Sequence, residues 1–358
     1  MSDRVLAIGP RSPPITGPGL KNKYIQQGLE NHGLEVHWVN TLEQRPRTVF
    51  DILRNALTYD AYILSASTKV RLCIAPVLAP KLRSPAVNGA LFPAGGEFAE
   101  ELASLPASVR EFYVRTFSLF DGIYPQTDAL AGKLQRLFGQ GTAIRTVPNL
   151  RPIPKTSPVR DSDREPQDRP LRLAYVGRVK ASKGLDDLLE AFSTVRERGV
   201  NAVLDIYGHF LPNDSYRESF LETCSHTAGV SFRGKLPNEA VIPTLRDADV
   251  FVFPTVYDGE GFPGVLVEAF AAGCPVIATD WNYNGDIVTP TVDGLLYDPH
   301  DVETLAGHIE RLATDAETLE SMQHNAYRTA KSYSVERVSD RIVDYLTEAG
   351  WTFSRSVH

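Results

Sequence analysis

The sequence predicts an α/β protein built from two doubly wound parallel-sheet domains facing each other across a cleft. Three observations carry that prediction. Apolar, strand-like runs alternate with helix-like segments along the whole chain, the pattern of parallel sheets joined by crossover helices. A stretch with five prolines and many charges, RPIPKTSPVRDSDREPQDRP (151–170), breaks the alternation near the middle, and the pattern restarts directly after it. The 358 residues are enough for two domains of ordinary size, each with its own core.

In the first half, RVLAIG (4–9) reads as a buried strand and a helix follows over 19–32. EVHWVN (35–40), AYILSAS (61–67) and PAVNGALF (85–92) are the next strands, with a long helix near 107–119. GIYPQT (122–127) and IRTVPN (144–149) complete a domain over 1–150. After the linker, LRLAYVGRV (171–179) is a strand and a helix occupies about 184–198. AVLDIYG (202–208), VSFRG (230–234), DVFVFP (249–254) and PVIATD (275–280) are further strands. Their nearly continuous apolar character suits strands covered on both faces. The second domain is expected over 171–335, and YSVERVSDRIVDYL (333–346) reads as a helix in a closing segment, 336–358, that crosses back onto the first domain.

The bulk composition, 42% hydrophobic and 23% charged, is that of a globular protein, and no run approaches the ~20 apolar residues of a membrane helix. Cys73, Cys224 and Cys274 are far apart, which gives neither a disulfide framework nor metal-ligand spacing. A cytoplasmic location is the expectation, since the N-terminus shows no leader pattern. Charge is uneven: residues 1–150 hold 16 Lys+Arg against 12 Asp+Glu, and residues 151–358 hold 21 against 32. A basic first half suits an anionic ligand or membrane surface, while an acidic second half with no basic–aromatic module argues against nucleic acid.

The chemistry centres on DGEGFPGVLVEA (258–269). Glu260 lies among Gly259, Gly261, Pro263 and Gly264, hence in a loop, whereas Glu268 lies inside an apolar run. A carboxylate in such a run needs a partner, because burying it alone is costly. With a helix starting at about Gly264, the N–H groups of Gly264, Val265 and Leu266 form an anion site, and Glu268 follows one turn deeper on the same face. There Glu268 would repel phosphate but could accept two hydrogen bonds from a ribose diol. Glu260 could hold a second sugar across the elbow. Arg178 and Lys183, in GRVKASKG (177–184) after the first strand of the second half, supply cations for a diphosphate between the two. The expected ligand is a nucleotide sugar.

At these residues the sequence resembles the family 4 retaining glycosyltransferases of the GT-B fold. The resemblance is carried by YVGRVKASKGLDDLLEAF (175–192), LDIYGHF (204–210), VSFRGKLPNEAVIPTLRDADVFVFPT (230–255), EGFPGVLVEAFAAGCPVIATD (260–280) and VDGLLYDPHDVETLAGHI (292–309). It implies that Arg178 and Lys183 bind the diphosphate, that Glu268 holds the ribose, and that Glu260 with the backbone of Gly261, Phe262 and Pro263 addresses the donor sugar. Lys235 and Leu236 would lie along the base. In the first half, the loop PRSPPITGPGLKNKY (10–24) offers Gly17 and Gly19 for close backbone approach to the transferring sugar and phosphates. Many relatives carry a first-domain histidine, yet none occurs between His37 and His209; Asn88 and Glu97 are the nearest substitutes. Asp286 stands where the family often has glutamate.

The expected reaction is retaining transfer of a hexose-type sugar from a UDP- or GDP-sugar to a saccharide or lipid-linked saccharide, with no cofactor and no metal. Peripheral contact with the inner face of a membrane through the N-terminal domain is a further expectation. KVRLCIAPVLAPKLR (69–83), with Lys69, Arg71, Lys81 and Arg83 around an apolar centre, reads as a buried helix with solvated charged ends or as an interfacial anchor. A degenerate nucleotide- or partner-binding relative and a sugar-nucleotide epimerase are the alternatives. A nicotinamide oxidoreductase is disfavoured, because no G-x-G-x-x-G follows a strand.

Overall fold

The structure, a computed structural model, describes residues 4–13, 16–42, 51–52, 54–157 and 169–353. The chain divides into two compact units: Met1–Pro152 with Gly259–Gly264 and Tyr333–His358, and Ile153–Asp258 with Val265–Ser332. The segment 259–264, which the sequence places inside the second domain, therefore groups with the first. Much of the expected 151–170 linker lies outside the described residues. Arg151 is not a linker residue: it is buried, its N–H donates to the Tyr333 carbonyl and its carbonyl accepts from Val335 N.

In the first unit, β1 (Arg4–Gly9), β2 (Glu35–Asn40), β3 (Ala61–Leu64), β4 (Asn88–Leu91) and β5 (Gly122–Ile123) form a parallel sheet in the order β2-β1-β3-β4-β5. The helix after β1 spans Gly17–Asn31 and starts earlier than the apolar pattern suggests. Thr16 caps it, its hydroxyl accepting from Gly19 N. IRTVPN (144–149) does not become a sixth strand; only an isolated bridge joins Ile144 to Ile123. The reason is local. β5 is two residues long and Pro125 beyond it has no N–H to continue a ladder.

The helix Val335–Glu348 joins this unit. It is capped by Ser334, and Val338, Ile342 and Leu346 enter the same cluster as Val5, Ile25, Leu29 and Ile63. Their spacing of four residues puts them on one face of the helix. Trp351 closes the end, its indole N–H donating to Asp121 Oδ2 at 2.9 Å.

In the second unit, β6 (Leu171–Arg178), β7 (Ala202–His209), β8 (Val230–Gly234), β9 (Val250–Phe253), β10 (Val276–Thr279) and β11 (Gly294–Tyr297) form a parallel sheet in the order β11-β10-β9-β6-β7-β8. β11 is missing from the strands read in the sequence; GLLY is short, and its first residue, Gly294, completes an Asp-Gly pair that reads as a turn. The helix Leu185–Glu197 follows β6 and buries Leu188, Leu189, Phe192 and Val195 against the sheet. Among the described residues no helix is long and apolar enough to cross a membrane.

Ile342 is 1% exposed in the first unit's core. Ile342→Ala is expected to destabilise that unit by about 2–5 kcal/mol, read as a lowered midpoint in chemical denaturation. A wild-type midpoint would show that the closing helix is not part of that core.

Candidate functional site

A doubly wound sheet binds its ligand where neighbouring strands send their crossovers in opposite directions. In the second unit that point lies between β6 and β9: from β6 the chain builds outward through β7 and β8, then returns to β9 on the other side. The loops after β6 and β9 are joined here. Val256 N donates to Ser182 O at 3.0 Å. Gly184 adopts φ +66°, and a Cβ on it would lie 1.9 Å from the Pro254 carbonyl oxygen, so both the conformation and the space demand glycine. Asn282 Nδ2 ties the far side of the loop by donating to the carbonyls of Tyr257 and Asp258.

This junction gathers cations. Lys180 Nζ lies 4.0 Å and Lys183 Nζ 4.7 Å from the centre of the Tyr257 ring, and Lys183 is 6.0 Å from that of Phe253. Arg178 ends β6, its carbonyl accepting from the Tyr175 hydroxyl at 2.8 Å. Burial first, then the charges of Arg178 and Lys180, pull Lys183 down to about 7. The aromatic faces offset part of that cost but carry no net charge. The group extends along the sheet edge. His209, at the end of β7, is held below its ordinary value by partial burial and then by Lys235 and Arg178. Lys235 and Leu236 follow β8 after Gly234 turns the chain with φ +74°.

From β9 the chain passes through the glycine-rich segment into the helix Gly264–Ala271. Glu268, 7% exposed, is buried in this helix one turn beyond Gly264, as the sequence requires. Val265 and Leu266 form its first turn with Gly264.

The elbow Gly259–Gly264 is anchored in the first unit. Asn149 Nδ2 donates to the Phe262 carbonyl at 2.9 Å, and Asn149 Oδ1 accepts from Leu150 N and Arg151 Nη1. A Cβ on Gly264 would meet Arg151 Nη2 at 1.6 Å, and one on Gly261 would lie 3.0 Å from the Gly95–Gly96 backbone. Phe262 packs edge-on against Tyr333, ring centres 5.3 Å apart. Its side chain is therefore core, and its carbonyl is engaged by Asn149. Glu260 and Pro263 complete this anchored turn. Asn149 and Arg151 are absent from the sequence-derived site. The signal was masked because one sits in a stretch read as a strand and the other opens a proline-rich stretch.

Other expectations change. Gly17 is exposed, with no atom of the described residues within 4 Å of a Cβ placed there. Gly19 is explained by its own loop: a Cβ would lie 2.8 Å from Thr16 Oγ1 and 3.1 Å from Ser12 N. Asn88 begins β4, at the sheet edge opposite the carboxyl ends, and donates to Asp121 Oδ2, so it is no substitute for the missing histidine. Glu97 lies beyond the carboxyl end of β4 and is exposed. Asp286 is the exposed last residue of the 3-10 turn Asn284–Asp286. Arg71 is fully buried, against the expectation of solvated charges along its helix.

Residues 159–329 match the model of the family described as glycosyl transferases group 1. That match covers the second sheet, β6 to β11, with the helices between its strands. The capsular polysaccharide biosynthesis glycosyltransferase CapM of Staphylococcus aureus is 29% identical over 167 residues, 45% of this chain and 41% of that protein. The chain thus spans less than half the length of this curated relative. Over 97% of this chain the fold is similar to Anabaena HepE, solved with UDP, at a TM-score of 0.75, 16% identity and 100% coverage of that chain. Sucrose-phosphate synthase of Thermosynechococcus elongatus is similar at 0.74, with 17% identity, over 96% of this chain and 98% of its own. The fold is GT-B. The matched residues include Arg178, Lys180, Lys183, Glu260 and Glu268, of which Glu260 groups with the first unit.

Gly184 makes the junction testable. Gly184→Ala combines a left-handed backbone with a clash against a backbone oxygen, so it is expected to cost about 2 kcal/mol or more. A thermal melt should show the loss, and Leu188→Ala, in the core beneath, gives the scale for comparison. Unchanged stability of Gly184→Ala would show that the two loops are not packed as described.

Proposed function

We propose that the protein is a metal-independent, retaining glycosyltransferase of family 4 that moves a hexose-type sugar from a nucleoside diphosphate donor to a hydroxyl. The observation that carries this reading is the cluster of Arg178, Lys180 and Lys183 at the β6–β9 switch point, beside the loop that leads to the helix Gly264–Ala271. Cations held together raise one another's energy, and a diphosphate relieves that strain while its own charge is neutralised. Arg178, Lys183 and the N–H groups of Gly264, Val265 and Leu266 bind the diphosphate, and Glu268 accepts from the ribose hydroxyls. Glu260, with the backbone of Gly261, Phe262 and Pro263, positions the donor sugar, the Phe262 contribution being limited to its N–H. Lys235 and Leu236 flank the base.

In the transfer step the bond from the anomeric carbon to the leaving phosphate oxygen breaks and the nucleoside diphosphate departs with the electron pair. The acceptor oxygen bonds to the same face of the anomeric carbon and its proton passes to the departing phosphate. Glu260 acts by positioning and electrostatics. Protein cations meet the growing charge on the leaving group, so no divalent ion is needed.

UDP is the first nucleotide to test, because the similar HepE was solved with UDP and with UDP-glucose. CapM, named for capsular polysaccharide biosynthesis, supports a saccharide or lipid-linked saccharide acceptor. Peripheral membrane contact is supported by exposed Val77, Val109 and Phe112 on the helices Thr68–Leu82 and Ala107–Phe117, with exposed Lys69 and Arg83 alongside.

Calorimetry with UDP, GDP and ADP in metal-free buffer tests the donor assignment. One nucleotide should bind clearly better than the others. Glu268→Ala should weaken it by about 10–100-fold, the worth of one or two charge-assisted hydrogen bonds. Glu260→Ala should keep nucleotide affinity and lose transfer. Equal affinity losses in both variants would sink this division of roles, and a folded protein that binds none of the three would sink the transferase reading.

A further inference from the structure

The first unit buries two cations at the ligand edge of its own sheet. Lys21, in the second turn of the helix Gly17–Asn31, is 2% exposed, and its Nζ has no hydrogen-bond partner among the described residues. That nitrogen lies 6.0 Å from the ring centre of Phe92, the residue just beyond β4. Arg71, 0% exposed, is in the first turn of the helix after β3. Its Nη1 donates to the Ala66 and Ala94 carbonyls and its Nη2 to Thr68 Oγ1, and its Cζ stacks 4.0 Å from the Phe98 ring centre. All of these partners are neutral. Burial and then the Arg71 charge pull Lys21 down to about 7, and burial pulls Arg71 down to about 9 against the opposing influence of Glu101.

Their position matters as much as their charge. From β1 the chain builds outward to β2 and then returns to β3 on the other side, so the switch point lies between β1 and β3. Here the strand ends press together: a Cβ on Gly9 would lie 1.8 Å from the Ser65 carbonyl oxygen. Asn22 cross-links the two loops, its Nδ2 donating to the Pro10 and Ser65 carbonyls and its Oδ1 accepting from Ser65 Oγ. Lys21 is the next residue back. It lies one turn after Gly17, which is exposed among the described residues, and helical side chains lean toward the helix N-terminus. Its four-carbon stem can carry the ammonium outward past Gly17. The helix end itself offers an anion little, since Pro18 has no N–H and Thr16 takes that of Gly19.

We propose that this edge of the first sheet binds an oxyanion, a phosphate or a carboxylate carried by the acceptor, with Lys21 as the contacting cation and Arg71 as a fixed charge behind it. The word acceptor rests on the transferase reading; the oxyanion site does not. A lysine kept only to fill space would be replaced without loss by methionine, which has similar length and no charge to bury.

The test uses the full chain with UDP present in excess, so that the second-domain cations are occupied. Inorganic phosphate is titrated in one arm and methyl glucuronide in the other, into wild type, Lys21→Met and Lys21→Arg. Binding of phosphate or of glucuronide identifies which oxyanion the site takes. Lys21→Met should lose about tenfold or more in affinity while Lys21→Arg keeps most of it. Lys21→Met should melt no lower than wild type, since no hydrogen bond is removed with the charge. In the wild type, NMR of the 13C-methylated Lys21 side chain should show its pKa rising when the anion is added, a readout that needs no variant. Absence of binding in both arms, unchanged affinity in Lys21→Met, or an unmoved Lys21 titration would overturn the site. Failure of UDP to bind in the first step would count against the nucleotide reading alone.

Discussion

The contact of Gly184 with the Pro254 carbonyl brings the chain after β6 against the chain after β9. Only a residue without a Cβ, in a left-handed conformation, allows that approach. With Val256 N bonded to Ser182 O, the contact places Lys180 and Lys183 over Tyr257 and puts the end of β6, with Arg178, beside the route into the helix Gly264–Ala271. The electrostatics follow from this packing. The fold makes Lys183 share a partly dehydrated space with two other cations, which lowers its basicity and raises its attraction for an anion.

The elbow between Asp258 and Val265 follows a different constraint. For six residues the chain belongs to the first unit, held by Asn149 at the Phe262 carbonyl, by the Gly95–Gly96 backbone beside Gly261 and by Tyr333 against the Phe262 ring. Asn149 and Arg151 are both buried and bonded to each other, and such a satisfied polar network fixes one arrangement of the turn. Glycine at 261 and 264 is explained by neighbouring backbone and guanidinium atoms, without appeal to a ligand. The residues around Glu260 are therefore placed by side chains far from it in sequence.

The strands and the cations at their ends were legible because their signals are local. LRLAYVGRV carries the apolar run of a central strand, and the basic turn after it has to lie at the carboxyl end of the sheet. Glu268 was legible as a carboxylate out of place in an apolar helix. Three features were not legible, each for a physical reason. β11 is four residues long with turn chemistry at its start. Asn149 acts on a residue 113 positions away, which no local pattern encodes. Lys21 and Arg71 look like ordinary surface charges on helices, and only the packing of loops after β1, β3 and β4 shows them buried. Gly19 went the other way: its freedom serves its own loop and not a ligand.

If the cations at the β6–β9 junction take up a diphosphate, UDP affinity has to depend on pH through Lys183. Just below pH 7 Lys183 is mostly charged while the terminal phosphate is still ionised, so affinity should be highest there. Above that, binding must bring a proton to Lys183, so affinity should fall by up to about tenfold per pH unit until the pKa in the complex is reached. Lys183→Met should bind more weakly and lose this slope. Equal affinity of the wild type from about pH 7 to about pH 9, where the nucleotide phosphates are already ionised, would show that Lys183 does not meet the diphosphate.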